Sequence, residues 1–259
     1  MHFLRFGLIG GLVGFLPSAA RAQTEAEWVT KARAVAARDP GTALGWLEQA
    51  LAIDSSSYEA NWRAAIAAAD LVETLPPTET AARDSLLWTA ERYGRRAVAA
   101  DSTRPDGLFA LARALGRIAL TKSKRERIRY GDEVYRLANR VLAIDPKHDG
   151  AHHILGAWNA EIMRVSGLSR FFARRILGAK LLDRASWAQA IEHLEQAVEL
   201  DPNRIFHRLE LARVYAERKR YDSARREIAA IEQLPDSHSG DERYRREAAA
   251  LGQEIAGKA

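Results

Sequence analysis

Three histidines and one serine–histidine–aspartate run are the residues whose types and spacing come nearest to chemistry. His148 and His152 stand four apart, with His153 next to them. On a helix, imidazoles at i and i+4 share a face and could ligate a metal, with Asp145 or Asp149 as a third donor. But His152 falls on a slot that the repeat pattern below gives to a large packing residue, and His148 lies in a polar turn. Packing and capping are therefore the expected roles, and no metal is assigned. Ser237, His238 and Asp241 supply the residue types of a hydrolase triad. They sit in an inter-helix turn with no G-x-S-x-G elbow and nothing to form an oxyanion hole, so a solvated loop is expected. The chain beyond its first 22 residues holds no H-E-x-x-H, no phosphate-cradling glycine loop and no G-x-G-x-x-G. It has no cysteine at all, which excludes a thiolate metal site, a cysteine nucleophile and a disulfide framework together. Neither catalysis nor a cofactor is expected.

Two segments have a non-catalytic chemistry. Arg170, Phe171, Phe172, Arg174 and Arg175 belong to a short amphipathic stretch near 168–177, where basic and aromatic residues suit an anionic lipid surface or a partner groove. Docking of its apolar side on neighbouring helices, with the arginines facing water, fits it slightly better. Residues 1–22 have a positive start, an apolar run from Phe6 to Leu16 and the small-x-small end Ala20-Arg21-Ala22. That is the form of a secretory signal peptide cut before Gln23, and the apolar run is short of the ~20 residues of a spanning helix. Export is expected, most simply to a bacterial periplasm or beyond it; an uncleaved inner-membrane anchor facing the periplasm is the alternative.

Composition names the elements that must position these groups. The 259 residues are 47% hydrophobic and 28% charged, with only 17 Gly and 8 Pro, a balance that favours a folded, helical chain. Taking Arg5 and Arg21 away from 39 basic residues leaves 37 against 34 acidic, a net charge of +3 for residues 23–259. So small an excess offers no concentrated basic face for nucleic acid.

Internal repetition then sets the architecture. Four segments end alike, at Leu51–Ser55, Val98–Ser102, Leu142–Pro146 and Val198–Pro202. Each is preceded by a stripe of small or apolar residues at i, i+4 and i+7: Ala43, Leu47, Ala50; Ala90, Gly94, Ala97; Val134, Ala138, Val141; Ala190, Leu194, Ala197. The Asp-Ser or Asp-Pro at each end stops one helix and is placed to cap the next. A second helix follows each stop, and the slots of W-x2-L-G-x2-Y fall on Leu155-Gly156, on Leu211-Ala212 with Tyr215, and on Leu111-Ala112. Small residues beside leucine let paired helices approach closely.

This pattern resembles the tetratricopeptide repeat and predicts an all-α, right-handed superhelical solenoid of four to five helix pairs over residues 23–259. The spacings of 47, 44 and 56 residues between Asp54, Asp101, Asp145 and Asp201 exceed the usual 34, so the surplus is expected between the two helices of each unit. An extra helix near 168–177 would absorb the largest surplus. A polar-faced helix over 241–255 would cap the stack.

From His152 onward the resemblance narrows. His152-His153-Ile-Leu-Gly156-Ala-Trp158, the stretch Leu168–Gly178, Ala188–Pro202, Leu211-Ala212-x2-Tyr215 and Leu234-Pro235-Asp-Ser follow in that order. Together they resemble the regulator of microtubule dynamics family, closely over about 130–255 and loosely over 40–130. The chain departs from the family's Gly-x-Pro-Pro at Gly178-Ala-Lys-Leu-Leu-Asp183. The resemblance implies a module that binds partners, and in one branch a phospholipid in the concave groove. In tetratricopeptide proteins the fifth and ninth residues of each first helix face that groove. Here those places hold Trp62, Phe109, His153 and Leu209, then Ile66, Arg113, Ala157 and Arg213. The expected groove is thus a mostly apolar ladder flanked by two arginines. It would suit a protein or peptide partner, or else a phospholipid or other hydrophobic small molecule held by its anionic head.

Overall fold

The computed structural model describes residues 23–164 and 184–259. The leader at 1–22, the insert helix near 168–177 and its residues Arg170, Phe171, Phe172, Arg174 and Arg175 lie outside the described residues. Within them the regular structure is helical: α1 (Glu25–Val35), α2 (Pro40–Ile53), α3 (Tyr58–Thr74), α4 (Thr80–Ala100), α5 (Pro105–Thr121), α6 (Lys124–Ile144), α7 (Asp149–Arg164), α8 (Trp187–Leu200), α9 (Ile205–Glu217), α10 (Tyr221–Gln233) and α11 (Asp241–Ile255).

Each helix packs on its neighbours in sequence, and α3, α5, α7, α9 and α11 also touch one another in turn. This is the contact pattern of a helical-repeat solenoid: five pairs, α1–α2 to α9–α10, closed by α11. The expected architecture is therefore observed. The surplus length in the first two long units lies where spacing placed it, in the lengthened helices α3, α4, α5 and α6 and the short turns between partners.

All four stripes are buried. Ala43, Ala50, Ala90, Ala97, Ala138, Val141, Ala190, Leu194 and Ala197 have no exposed surface. Small side chains serve here by what they leave out. A Cβ added at Gly94 would lie 3.0 Å from the Leu111 Cα, and one at Gly156 would lie 2.5 Å from Leu194 Cγ. At those crossings helix axes approach to the limit that a hydrogen in place of a methyl allows.

The turns correct one expectation. Asp54, Asp101, Asp145 and Asp201 do not cap the helices that follow. Each accepts a hydrogen bond from the backbone N–H two residues on, at 2.9, 2.9, 3.0 and 3.3 Å. These are Asx turns: a short carboxylate reaches its own loop more readily than the next helix. Two of the following helices begin instead with Ser57, which accepts from the Ala60 N–H at 3.2 Å, and with His148, whose Nδ1 accepts from the Ala151 N–H at 3.2 Å, while the other two begin at Arg104 and Arg204 with no side-chain cap. The capping role expected of His148 holds.

Candidate functional site

The register assigns the inner face to α3, α5, α7 and α9, and α11 packs on α9 at its end, so the expected ladder can be followed helix by helix. On α3, Trp62 and Ile66 are half-buried. The Trp62 indole donates to Glu59 at 3.0 Å, and the Arg63 guanidinium lies 4.1 Å over its ring. Beside them Arg104 sits 4.0 Å over the Tyr58 ring and 3.6 Å from Glu59. On α5, Phe109 is half-buried against the His148 ring, 4.5 Å between centroids. Phe109 also fills the space in front of Gly150, where a Cβ would meet its ring at 2.5 Å.

Further along the face the ladder is neither open nor apolar. Leu209 is fully buried, as part of the core formed with Ile205, Ile231, Tyr244 and Ala248. His153 is buried, 4.3 Å from the Phe206 ring, and its Nδ1 lies 3.1 Å from Nδ1 of His207. His207 Nε2 in turn meets the Asp149 carboxylate at 2.8 Å. Burial, followed by the neighbouring His207, Arg113, Arg204 and Arg213, holds the His153 imidazole well below the usual histidine range, so it is neutral. His153, expected to line the groove, is instead packed inside the fold against Phe206 and His207.

Neither expected arginine is free. Arg113 pairs with Asp70 of α3, and Arg213 pairs with Glu210 at 3.2 Å and with Glu247 of α11. One turn beyond Asp70 and Arg113, the buried Glu73 carboxylate is gripped by both Arg117 of α5 and Arg243 of α11. Arg164 of α7 likewise joins Glu210 at 3.2 Å and Glu217 at 2.8 Å on α9. Ion pairs thus stitch α3 to α5, α7 to α9 and α9 to α11, and Glu73–Arg243 carries the stitching across from the second repeat to the terminal helix.

That closure corrects in part the solvated loop expected around Ser237, His238 and Asp241: Pro235 and Asp236 are exposed, but the loop is tied down and Asp241 is buried. The Ser239 N–H donates to the Ala37 carbonyl at 2.8 Å, joining the loop before α11 to the turn between α1 and α2. Asp241 is buried and accepts from the N–H groups of Ser237 at 2.9 Å and His238 at 2.8 Å. Burial pushes its carboxyl up, but His238 and those two N–H donors outweigh that and hold it at about 2. The arrangement is no triad. Ser237 Oγ at 2.9 Å and Asp241 Oδ2 at 3.7 Å both approach Nδ1 of His238, so no relay runs through the ring from carboxylate to hydroxyl.

Sequence reasoning missed Asp70, Glu73, Arg117, Arg243 and Glu247. The signal was present: Asp70 follows Ile66 by four and Arg117 follows Arg113 by four, one more helical turn along stripes already drawn. No group of three or more His, Asp or Glu side chains is arranged to hold a metal among the described residues. No described helix is long and apolar enough to cross a membrane.

The fold recurs in solved proteins. The tetratricopeptide protein TTC0263 of Thermus thermophilus is similar with a TM-score of 0.60 at 19% identity, over 88% of this chain and 98% of that one. A monomeric mutant of IFIT1, solved with Gppp-AAAA, is similar with a TM-score of 0.55 at 16% identity, over 93% of this chain and 56% of that one. No curated protein sequence matches significantly. The profile of the family "Regulator of microtubule dynamics protein 1-3" matches residues 28–256, almost the whole described chain. The chain, a tetratricopeptide-like solenoid with its inner helices cross-stitched by ion pairs, belongs to the regulator of microtubule dynamics protein 1-3 family.

Proposed function

We propose that the protein is a non-catalytic scaffold that recognises a protein or peptide partner on the first half of its concave face, around Trp62, Ile66 and Phe109. One observation carries this reading. The later half of that face is spent on the molecule's own contacts, through Leu209, His153, Arg213 and α11, whereas Trp62 and Ile66 keep part of their surface exposed. Asp70 and Arg113 are paired, so Ile66 and Phe109, four residues before each, lie one turn back on facing stripes. Trp62 and Tyr58, each stacked by an arginine, supply the residue types that dominate binding energy at protein interfaces. The pairing of Arg113 with Asp70 and of Arg213 with Glu210 and Glu247 also favours a protein over a phospholipid, because neither cation is left over for an anionic head.

Export completes the proposal: the protein works in the periplasm or outside the cell, after removal of residues 1–22. A photo-reactive residue placed at Ile66 tests the partner reading against the same residue at Ala99 on α4, beyond the inner face. A crosslink to one defined protein from position 66 alone is the expected result. Crosslinks to lipid, or equal yields from both positions, would contradict it. N-terminal sequencing of the protein made in a bacterium tests removal of residues 1–22, and a first residue of Met1 would refute it.

A further inference from the structure

Two consecutive histidines on α7 each face a histidine on a different neighbouring helix. His153 meets His207 of α9, and His152 meets His193 of α8 with their Nδ1 atoms 3.0 Å apart and ring centroids 5.3 Å apart. The His152 Nε2 lies 3.1 Å from the Pro146 carbonyl. A carbonyl only accepts, so Nε2 carries the proton and Nδ1 of His152 presents a lone pair toward His193. This is how metal-binding imidazoles are usually oriented: the outer ring nitrogen donates to an oxygen and fixes the tautomer of the inner one.

We infer that His152 and His193 form a bidentate site for an imidazole-seeking divalent cation of the Zn2+, Cu2+ or Ni2+ class. Two imidazole nitrogens at ~2.0–2.1 Å from one ion stand about 2.8 Å apart in a square plane and about 3.3 Å apart in a tetrahedron. The observed 3.0 Å lies between the two, but the rings meet head-on with centroids 5.3 Å apart, so on binding each must also turn by roughly 35–45° to aim its lone pair at a shared ion. Without metal, the proton of His193 occupies Nδ1 and is donated to His152. On binding, that proton moves to Nε2 of His193, both Nδ1 lone pairs turn to the ion, and no proton leaves the pair. Two protein ligands leave the remaining positions to water.

Electrostatics separates this pair from its neighbour. The His153–His207 pair is buried and faces Arg113, Arg204 and Arg213, which repel a cation. His193 and His152 are only half-buried, and among the described residues the Glu192 carboxylate acts on His193 and attracts a cation. The absence of cysteine means that no thiolate competes for the ion.

The test is Zn2+ titration of the tag-free full chain by calorimetry, with the thermal midpoint read in parallel, and Cu2+ bound at one equivalent for electron paramagnetic resonance. The expected result is one Zn2+ per chain and a raised midpoint, with affinity at least ten-fold weaker in His193→Gln and in His152→Gln. His238→Gln, a change at a half-buried histidine in the loop before α11, should bind as the unaltered protein does. The Cu2+ spectrum should show two coupled imidazole nitrogens. That spectrum is recorded on the unaltered chain, so it decides the matter even where a variant fails to fold. Unchanged affinity in folded His193→Gln, no Zn2+ bound, or a spectrum with fewer than two nitrogens would overturn the site.

Discussion

Replacing Gly156 by alanine and replacing Gly116 by alanine are the same chemical change in two helices, and the structure gives them opposite signs. Both positions are helical, Gly156 in α7 and Gly116 in α5. Alanine in place of glycine stabilises an unhindered helix interior by roughly 0.8–1 kcal/mol. At Gly116 a new Cβ meets nothing within 4 Å, so that gain is kept. At Gly156 it would lie 2.5 Å from Leu194 Cγ, 3.0 Å from Leu194 Cδ2 and 3.1 Å from the Ala190 carbonyl. Leu194 is fully buried and cannot swing away, and backbone oxygen cannot yield without moving α8. Overpacking of this kind costs about 1–3 kcal/mol, and the backbone contact argues for the upper end. The net effect of Gly156→Ala is then a loss of about 1–2 kcal/mol. A change of 1 kcal/mol moves the midpoint by roughly 2–4 °C in a protein this size. Thermal unfolding followed at the helical circular dichroism band should put Gly116→Ala about 2–4 °C above the unaltered chain and Gly156→Ala about 2–8 °C below it. Equal midpoints, or a more stable Gly156→Ala, would refute the claim that glycine fixes the α7–α8 approach.

Other substitutions probe the closure and the turns. Glu73→Gln leaves Arg117 and Arg243 without their carboxylate; Glu73 is buried but both guanidinium groups are partly exposed, so the change should cost about 1–3 kcal/mol in urea unfolding; a loss under about 1 kcal/mol would mean that water screens the contact. Asp241, held at about 2 against 3.8 in a free chain, stabilises the fold above pH 4, and that contribution fades as pH falls from about 4 toward 2. Asp241→Asn should therefore lower stability at pH 7 by roughly 1–2 kcal/mol and flatten this acid limb; a limb of unchanged steepness would contradict the assignment. Lys219 closes α9 at a left-handed φ of 58°, so Lys219→Gly should stabilise by up to about 1 kcal/mol, and a loss on calorimetry would show that the strain is compensated.

The helices were legible in the sequence because their signals are local. Four apolar stripes in one register, each with an aspartate stop, leave little freedom, and the cap expected over 241–255 is the helix Asp241–Ile255. The inner face was legible only by position. Register named Trp62, Ile66, Phe109, Arg113, His153, Leu209 and Arg213, but register is silent on what stands opposite. Asp70 neutralises Arg113 from 43 residues away, and Arg243 reaches Glu73 from 170 residues further along the chain. Such partners depend on how far the solenoid curls, a sum of small rotations at every hairpin that no short window of sequence contains. For the same reason the loop at Leu234–Asp241, polar and bearing a proline, looked solvent-exposed although it is pinned to Ala37.

The curl itself is the central claim, since it decides which part of the concave face a partner can reach. The chain has no native cysteine, so Ala37→Cys combined with Ser239→Cys places its only two thiols where the backbones share a 2.8 Å hydrogen bond. Treatment of the dilute, monomeric double variant with a short bis-maleimide, followed by peptide mapping, measures that proximity directly. A closed solenoid predicts near-complete intramolecular crosslinking that falls when Glu73→Gln is added. Two singly capped thiols, with crosslinking no greater than in the urea-unfolded chain, would contradict it.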